Sequence, residues 1–243
     1  DFNDTLRGNG RGNVFHGGAG NDQLLGLTGN DTLKGGEGND VLDGGGGNDI
    51  ADYSDATGGV TFNLATNTFV TPGVGTDTLI LIEGAYGAND NDTLVGNAFD
   101  NVFRGNLGDD TITGGGGNDT ADYANALGNV IVNLTLAGAQ NTGGAGVDTL
   151  SSIEHLTGGD FRDVFTGNNA TNVFNGGAGN DELRGRSGND TLNGGLGDDL
   201  IVGDAGNDTI DGGDGIDRLY GGSGNDAIFG GRGADMIVGG PGI

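Results

Sequence analysis

From residue 176 onward a large aliphatic residue recurs at every ninth position: Leu183, Leu192, Ile201, Ile210, Leu219, Ile228 and Ile237. The residues on either side vary between polar and apolar, which marks one side chain in nine as inward-facing. Leu6, Phe15, Leu24, Leu33 and Leu42 open the chain with the same spacing. A fixed period of this kind is the mark of stacked repeats. The three residues centred on each aliphatic position are expected to form a very short strand, and the six between them to turn the chain. A half-coil is then nine residues and a full coil eighteen.

The turns are as regular as the strands. Successive segments read GGAGNDELR, GRSGNDTLN, GGLGDDLIV, GDAGNDTID, GGDGIDRLY, GGSGNDAIF and GGRGADMIV, a G-G-x-G-x-D-x-U-x pattern with U aliphatic. It places Asp181, Asp190, Asp199, Asp208, Asp217, Asp226 and Asp235 nine apart. Asp4, Asn13, Asp22, Asp31, Asp40 and Asp49 hold the same place early in the chain, Asp92, Asn101, Asp110 and Asp119 in the middle, and Asp163 and Asn172 lead into the last array. The 58 glycines among 243 residues would suggest disorder if they were scattered, but they are periodic.

Two related inserts interrupt the period. Ala51-Asp52-Tyr53, Phe62-Asn63-Leu64, Asp77-Thr78-Leu79 and Ile82-Glu83 are echoed by Ala121-Asp122-Tyr123, Val132-Asn133-Leu134, Asp148-Thr149-Leu150 and Ile153-Glu154. Alternating, β-branched runs at 60–64 and 130–134 predict strands longer than those of the arrays. The expected organisation is a first array at 1–52, an insert at 53–86, a second array at 87–122, a second insert at 123–157 and a third array at 158–243. The chain opens without Met and ends inside a repeat, and is expected to be a piece of a longer protein.

Nine Lys and Arg against 35 Asp and Glu give a formal net charge of −26, which repels nucleic-acid backbones and anionic membranes. No run of apolar residues is long enough to span a bilayer, so neither nucleic acid nor membrane insertion is expected. The absence of Cys excludes disulfides and thiolate metal sites. There is no P-loop, nucleophile elbow or H-E-x-x-H, and no catalytic constellation is predicted. Glu83 and Glu154 occupy matching places through duplication rather than as an acid–base pair.

Stacking at the ~4.8 Å spacing of paired strands sets Asp residues eighteen apart above one another, in two rows of carboxylates. At about 5 Å and an effective dielectric of 20, each pair repels by about 3 kcal/mol, a sizeable part of a domain's stability. A hard divalent cation between coils removes that cost. Carboxylates and accessible backbone carbonyls suit calcium, whereas magnesium wants a tighter octahedron, and zinc or copper wants His or Cys. Candidate ligands are Asp4, Asp22, Asp31, Asp40, Asp49, Asp92, Asp110, Asp119, Asp163, Asp181, Asp190, Asp199, Asp208, Asp217, Asp226 and Asp235. Pairs eighteen apart number about ten, hence about ten ions. Those involving Asp92 and Asp163 are expected to be weaker because their turns lack the fourth glycine, and the positions beside Asn13, Asn101 and Asn172 looser or empty.

The nonapeptides at 17–49, 105–122 and 176–238 resemble the RTX (repeats-in-toxin) calcium-binding repeats. The inserts look like segments interspersed with such repeats in the C-terminal domains of serralysin-type secreted proteases. The resemblance implies an all-β, right-handed parallel β-roll with Ca²⁺ held by the Asp of each turn. It also implies folding outside the cell after type I secretion from a Gram-negative bacterium, with the module serving as a folding and stabilising scaffold. An adhesin or surface-layer module, or an accessory domain of a secreted protease, lipase or polysaccharide-modifying enzyme, is the alternative. Ice binding is disfavoured because the outward rows are irregular. One outer face of the last array, with Leu200, Arg218 and Met236 in one row and Val202, Tyr220 and Val238 in the next, is expected to be covered by a C-terminal capping segment or a partner domain.

Overall fold

A computed structural model describes residues 2–66 and 68–242. Among them there is no helix, so none that could cross a membrane; every regular element is a strand. The chain divides into two compact units, Asp1–Asp119 and Thr120–Ile243. Each is a stack of parallel strands, the β-roll that the ninefold period predicts.

In the first unit, Thr5–Arg7, Gln23–Thr28 and Val41–Gly46 pair in parallel, with Thr5 opposite Gln23 and Gln23 opposite Val41. On the other face Val14–Ala19 pairs with Thr32–Glu37, again offset by eighteen residues. The first insert is accommodated without breaking the stack. Val41 lies opposite Thr78 and Ile50 opposite Gly84, so the strands Thr78–Ile80 and Gly84–Tyr86 rejoin the two faces beyond it. Between them Thr61–Asn63 starts a further parallel set with Thr93–Val95 and Thr111–Thr113, and Thr68–Val70 folds back antiparallel on its edge.

The second unit repeats the plan. Thr120–Asp122, His155–Thr157, Val173–Ala178, Thr191–Leu196, Thr209–Asp214 and Ala227–Arg232 form one parallel face. Ile131–Asn133, Val164–Thr166, Glu182–Ser187, Leu200–Ala205, Arg218–Ser223 and Met236–Val238 form the other. The register sets Leu200, Arg218 and Met236 in one outward row and Val202, Tyr220 and Val238 in the next, as the spacing predicts.

Two expectations about strand length are revised. The three-residue strands expected hold through the second array, whereas most strands of the first and third run six residues, because there the pairing continues through the turn that follows the aliphatic triplet. The insert strands, expected to be longer, are mostly three residues; only Val147–Ser151 reaches five. There the β-branched runs are cut short by tight turns, as at Asn63, whose Oδ1 accepts the Thr66 N–H.

The inward face alternates with period two, so Asp, aliphatic and Gly point in at i, i+2 and i+4. Asp190, Leu192 and Gly194 are buried while Thr191 and Asn193 are exposed. The aliphatic column is fully enclosed at Leu24, Leu33 and Leu42, and again from Leu183 to Leu219. Near the inserts aromatic rings take the aliphatic place in the column. Phe62 meets Phe103 edge-on at 6.1 Å between centroids, and Phe165 meets Phe174 at 5.8 Å.

Candidate metal centre

The inward Asp residues do structural work before any ion is considered. In the third array the Asp181 N–H donates to Oδ1 of Asp199 at 2.7 Å, Asp199 N–H to Asp217 at 2.9 Å, and Asp217 N–H to Asp235 at 3.1 Å. On the opposite edge Asp190 donates to Asp208 and Asp208 to Asp226. The first array repeats the pattern from Asp4 to Asp22 to Asp40 and from Asp31 to Asp49, as do Asp92 to Asp110 and Asp163 to Asp181. All of the eighteen-apart pairs are thus brought together. Asp119 takes the N–H of Asn101 at 2.8 Å.

One oxygen of each carboxylate is used in this way, and the other is left over. Oδ2 of Asp22, Asp31, Asp40, Asp49, Asp181, Asp190, Asp199, Asp208, Asp217 and Asp226 is buried and meets no hydrogen-bond donor. Such atoms are costly unless something positive reaches them. The glycine five residues before the Asp in the regular turns lets a second oxygen come close to Oδ2. A Cβ on Gly194 would strike both Oδ2 of Asp199 and the carbonyl oxygen of Gly212, and Gly17, Gly26, Gly176, Gly203 and Gly221 have equivalent surroundings. Carboxylate and carbonyl oxygens converge there from successive coils. Among the described residues no three His, Cys, Asp or Glu side chains cluster, so carbonyl oxygens must supply part of any coordination shell. An all-oxygen, partly backbone shell is what a calcium ion accepts.

The electrostatics agree. Burial pushes the Asp181 carboxyl up from 3.8 to about 7, opposed by the Asp163 N–H and aided by the Asp199 and Asp163 carboxylates. Burial likewise raises Asp190 and Asp199 to about 6, with the carboxylates of Asp208 and Asp217 adding to it. Asp49 and Asp92 also reach about 6, and Asp40, Asp163, Asp208 and Asp217 are raised. A desolvated carboxylate row must either take up protons or be met by a cation.

Asp163 differs from the others. Its Oδ2 accepts the Gly159 N–H at 2.8 Å, so the turn that lacks the fourth glycine satisfies this oxygen internally. At the Asn positions the side-chain amide is turned to another use: Nδ2 of Asn101 donates to the Glu83 carbonyl at 2.7 Å and that of Asn172 to the Glu154 carbonyl at 3.0 Å.

Five insert residues were not among the sequence candidates. Asp40 N–H donates to Oδ1 of Asp77, and Asp49 N–H to Oε2 of Glu83, so these two carboxylates take the next places in the rows at offsets of 37 and 34 residues. Tyr53 and Tyr123 lie beside Asp77 and Asp148, respectively. The echoed D-Y, D-T and I-E elements were the visible signal, but sequence spacing alone gave them no place in an eighteen-residue register.

Parallel coils carrying buried rows of carboxylates and carbonyls define a cation-binding β-solenoid. The family model of the RTX calcium-binding nonapeptide repeat matches residues 1–33, 16–51, 86–121, 151–183, 175–210, 184–219 and 211–243. The chain therefore belongs to that family, and the roll is a calcium-binding structural module. No curated protein matches the chain significantly.

Proposed function

We propose that the chain is a secreted module that folds on meeting calcium outside the cell and then acts as a stabilising scaffold for a larger protein. The observation that carries this reading is the column of buried, unpartnered Oδ2 atoms in a chain of net charge −26. The ions would be held by the Asp residues at the sixth place of the turns, from Asp4 to Asp235, with the carbonyl oxygens of the glycines one coil on, and Asp163 is the weakest of the sixteen because the Gly159 N–H already takes its Oδ2. About ten ions correspond to the eighteen-apart pairs. Bound calcium supplies the positive charge that lets successive carboxylates lie one coil apart. In the regular turns the Asp holds the previous coil through Oδ1 and offers Oδ2 inward, so binding and folding are one equilibrium.

Extracellular modules often bind calcium at about 10⁻⁴ to 10⁻³ M, which makes the contrast between cytosol and outside the switch. An expanded acidic chain suits passage through a type I channel of a Gram-negative bacterium, and the family is typical of secreted proteins. The outward strip of Met236 and Val238, both nearly half exposed beside Tyr220, is proposed to be covered by a C-terminal capping segment or a partner domain.

The test is far-UV circular dichroism of the EDTA-treated chain titrated with Ca²⁺, with Mg²⁺ in parallel. A coil-to-β transition with Ca²⁺ alone, displaced to higher concentration in an Asp199→Ala, Asp208→Ala variant, is expected. A full β spectrum in EDTA at neutral pH would overturn the reading.

A further inference from the structure

The first insert leaves the nonapeptide register after Asp49, and the structure shows how the row is closed there. In the regular array Oδ2 of Asp31 and the carbonyl of Gly44 close in on Gly26, while the Asp31 N–H donates to Asp49 at 2.7 Å. One coil on, Oδ2 of Asp49 and the carbonyl of Leu81 close in on Gly44 in the same way, while the Asp49 N–H donates to Oε2 of Glu83 at 2.9 Å. The arrangement is the same, with Leu81 in place of a glycine and Glu83 in place of an aspartate. Asp49 is fully buried, and its Oδ2 has no partner.

Two details explain why these residues can substitute. Leu81 has φ of +49°, which turns the chain at once, so Glu83 follows the carbonyl donor by two residues where Asp49 follows Gly44 by five. A non-glycine residue held in the left-handed region is strained and persists where the surroundings require it. The shortened turn sets the backbone of residue 83 differently, and glutamate's extra methylene lets a carboxylate still reach the Asp49 N–H. The second insert has the same local form, with Ser152 at φ +50° two residues before Glu154.

We propose that Asp49 Oδ2, the Leu81 carbonyl and the Glu83 carboxylate form a further calcium site outside the nonapeptide pattern, which fastens the first insert to the array. The proposal rests on the reading of the array carboxylates as calcium ligands. The junction makes the fold of residues 53–86 part of the same calcium-dependent transition rather than a loop hung from it.

The experiment counts ions on the full chain in calcium by native mass spectrometry, comparing the parent with Glu83→Gln and, as an array control, Asp199→Asn. Loss of one ion in Glu83→Gln, with the remainder kept, is the expected result. An unchanged count in Glu83→Gln, when Asp199→Asn loses an ion, would overturn the junction site and leave the array reading intact. A parent that binds no calcium would remove both. Should Glu83→Gln fail to fold, calcium anomalous scattering from crystals of the unsubstituted chain decides: a peak beside Asp49 Oδ2 supports the site. Peaks confined to the nonapeptide turns overturn it.

Discussion

The phenol of Tyr123 donates to Oδ2 of Asp148 at 3.1 Å across 25 residues, in the buried base of the second insert. Thr142 Oγ1 lies 3.0 Å from the same oxygen and shares its one proton between it and the Gly146 carbonyl, so this carboxylate is met by hydroxyls where the array carboxylates have an unpartnered oxygen. The insert is thus tied down by neutral donors. Tyr123→Phe removes one of them and should cost about 1–3 kcal/mol, the range for a hydrogen bond to a buried charged group. In saturating calcium this reads as a lower thermal midpoint, at ~2–4 °C per kcal/mol for a chain of this size. An unchanged midpoint would mean that the phenol contributes only packing.

The oxygen-lined space beside Gly194 gives a sharper test. Gly194→Ala puts a methyl group against Oδ2 of Asp199 and the carbonyl of Gly212. Overpacking of this kind costs about 1–3 kcal/mol, and here it also occupies the place where the two oxygens converge. The variant should need more calcium to fold. Gly138→Ala is the control: that residue is exposed with nothing within 4 Å of a new Cβ, and stability should stay within ~0.5 kcal/mol of the parent. Calcium titrations of the two, followed by circular dichroism, should separate clearly.

Much of this was legible in the sequence because the repeat imposes it. Strict nine-residue spacing of Asp and of the aliphatic position predicts which residues stack, and the hydrogen bonds between Asp181, Asp199, Asp217 and Asp235 follow that spacing. What spacing could not convey was the division of labour within one carboxylate, with Oδ1 bonded to the preceding coil and Oδ2 left over. Nor could it place Asp77 and Glu83. Their offsets of 37 and 34 residues depend on how the insert folds, which is decided by tertiary packing around Phe62 and by the left-handed turn at Leu81. The six-residue strands were missed because glycine weakens strand propensity, yet here the pairing of neighbouring coils carries the strand through Gly194-Gly195.

The pH dependence of the calcium-free chain has a definite sign. Burial raises the carboxyl of Asp181 to about 7 and those of Asp190 and Asp199 to about 6, from 3.8. The folded roll therefore binds more protons than the unfolded chain between about pH 4 and 7, and their contribution to stability is lost as pH rises through that window. In EDTA, β structure should be favoured at pH 4 over pH 8. With calcium the direction reverses, because protons compete for the same oxygens, and the calcium midpoint should rise as pH falls. A β signal in EDTA that grows with pH would contradict the assignment of these carboxylates as desolvated.

Asp163 and Asp199 make the final comparison, because they differ in one hydrogen bond. Asp199 Oδ2 has no donor, whereas Asp163 Oδ2 accepts the Gly159 N–H at 2.8 Å. If the free oxygen is what calcium meets, Asp199→Asn replaces a charged ligand by a neutral one, a loss that is felt only with calcium. Its midpoint should therefore fall by several degrees in calcium. Asp163→Asn instead disturbs a bond that is present with or without the ion, so its effect should depend little on calcium concentration. Thermal unfolding of both variants at low and saturating calcium measures the difference. A calcium-dependent loss of equal size at the two positions would show that an unpartnered Oδ2 does not mark a ligand, and would remove the basis for ranking the turns by their internal hydrogen bonds.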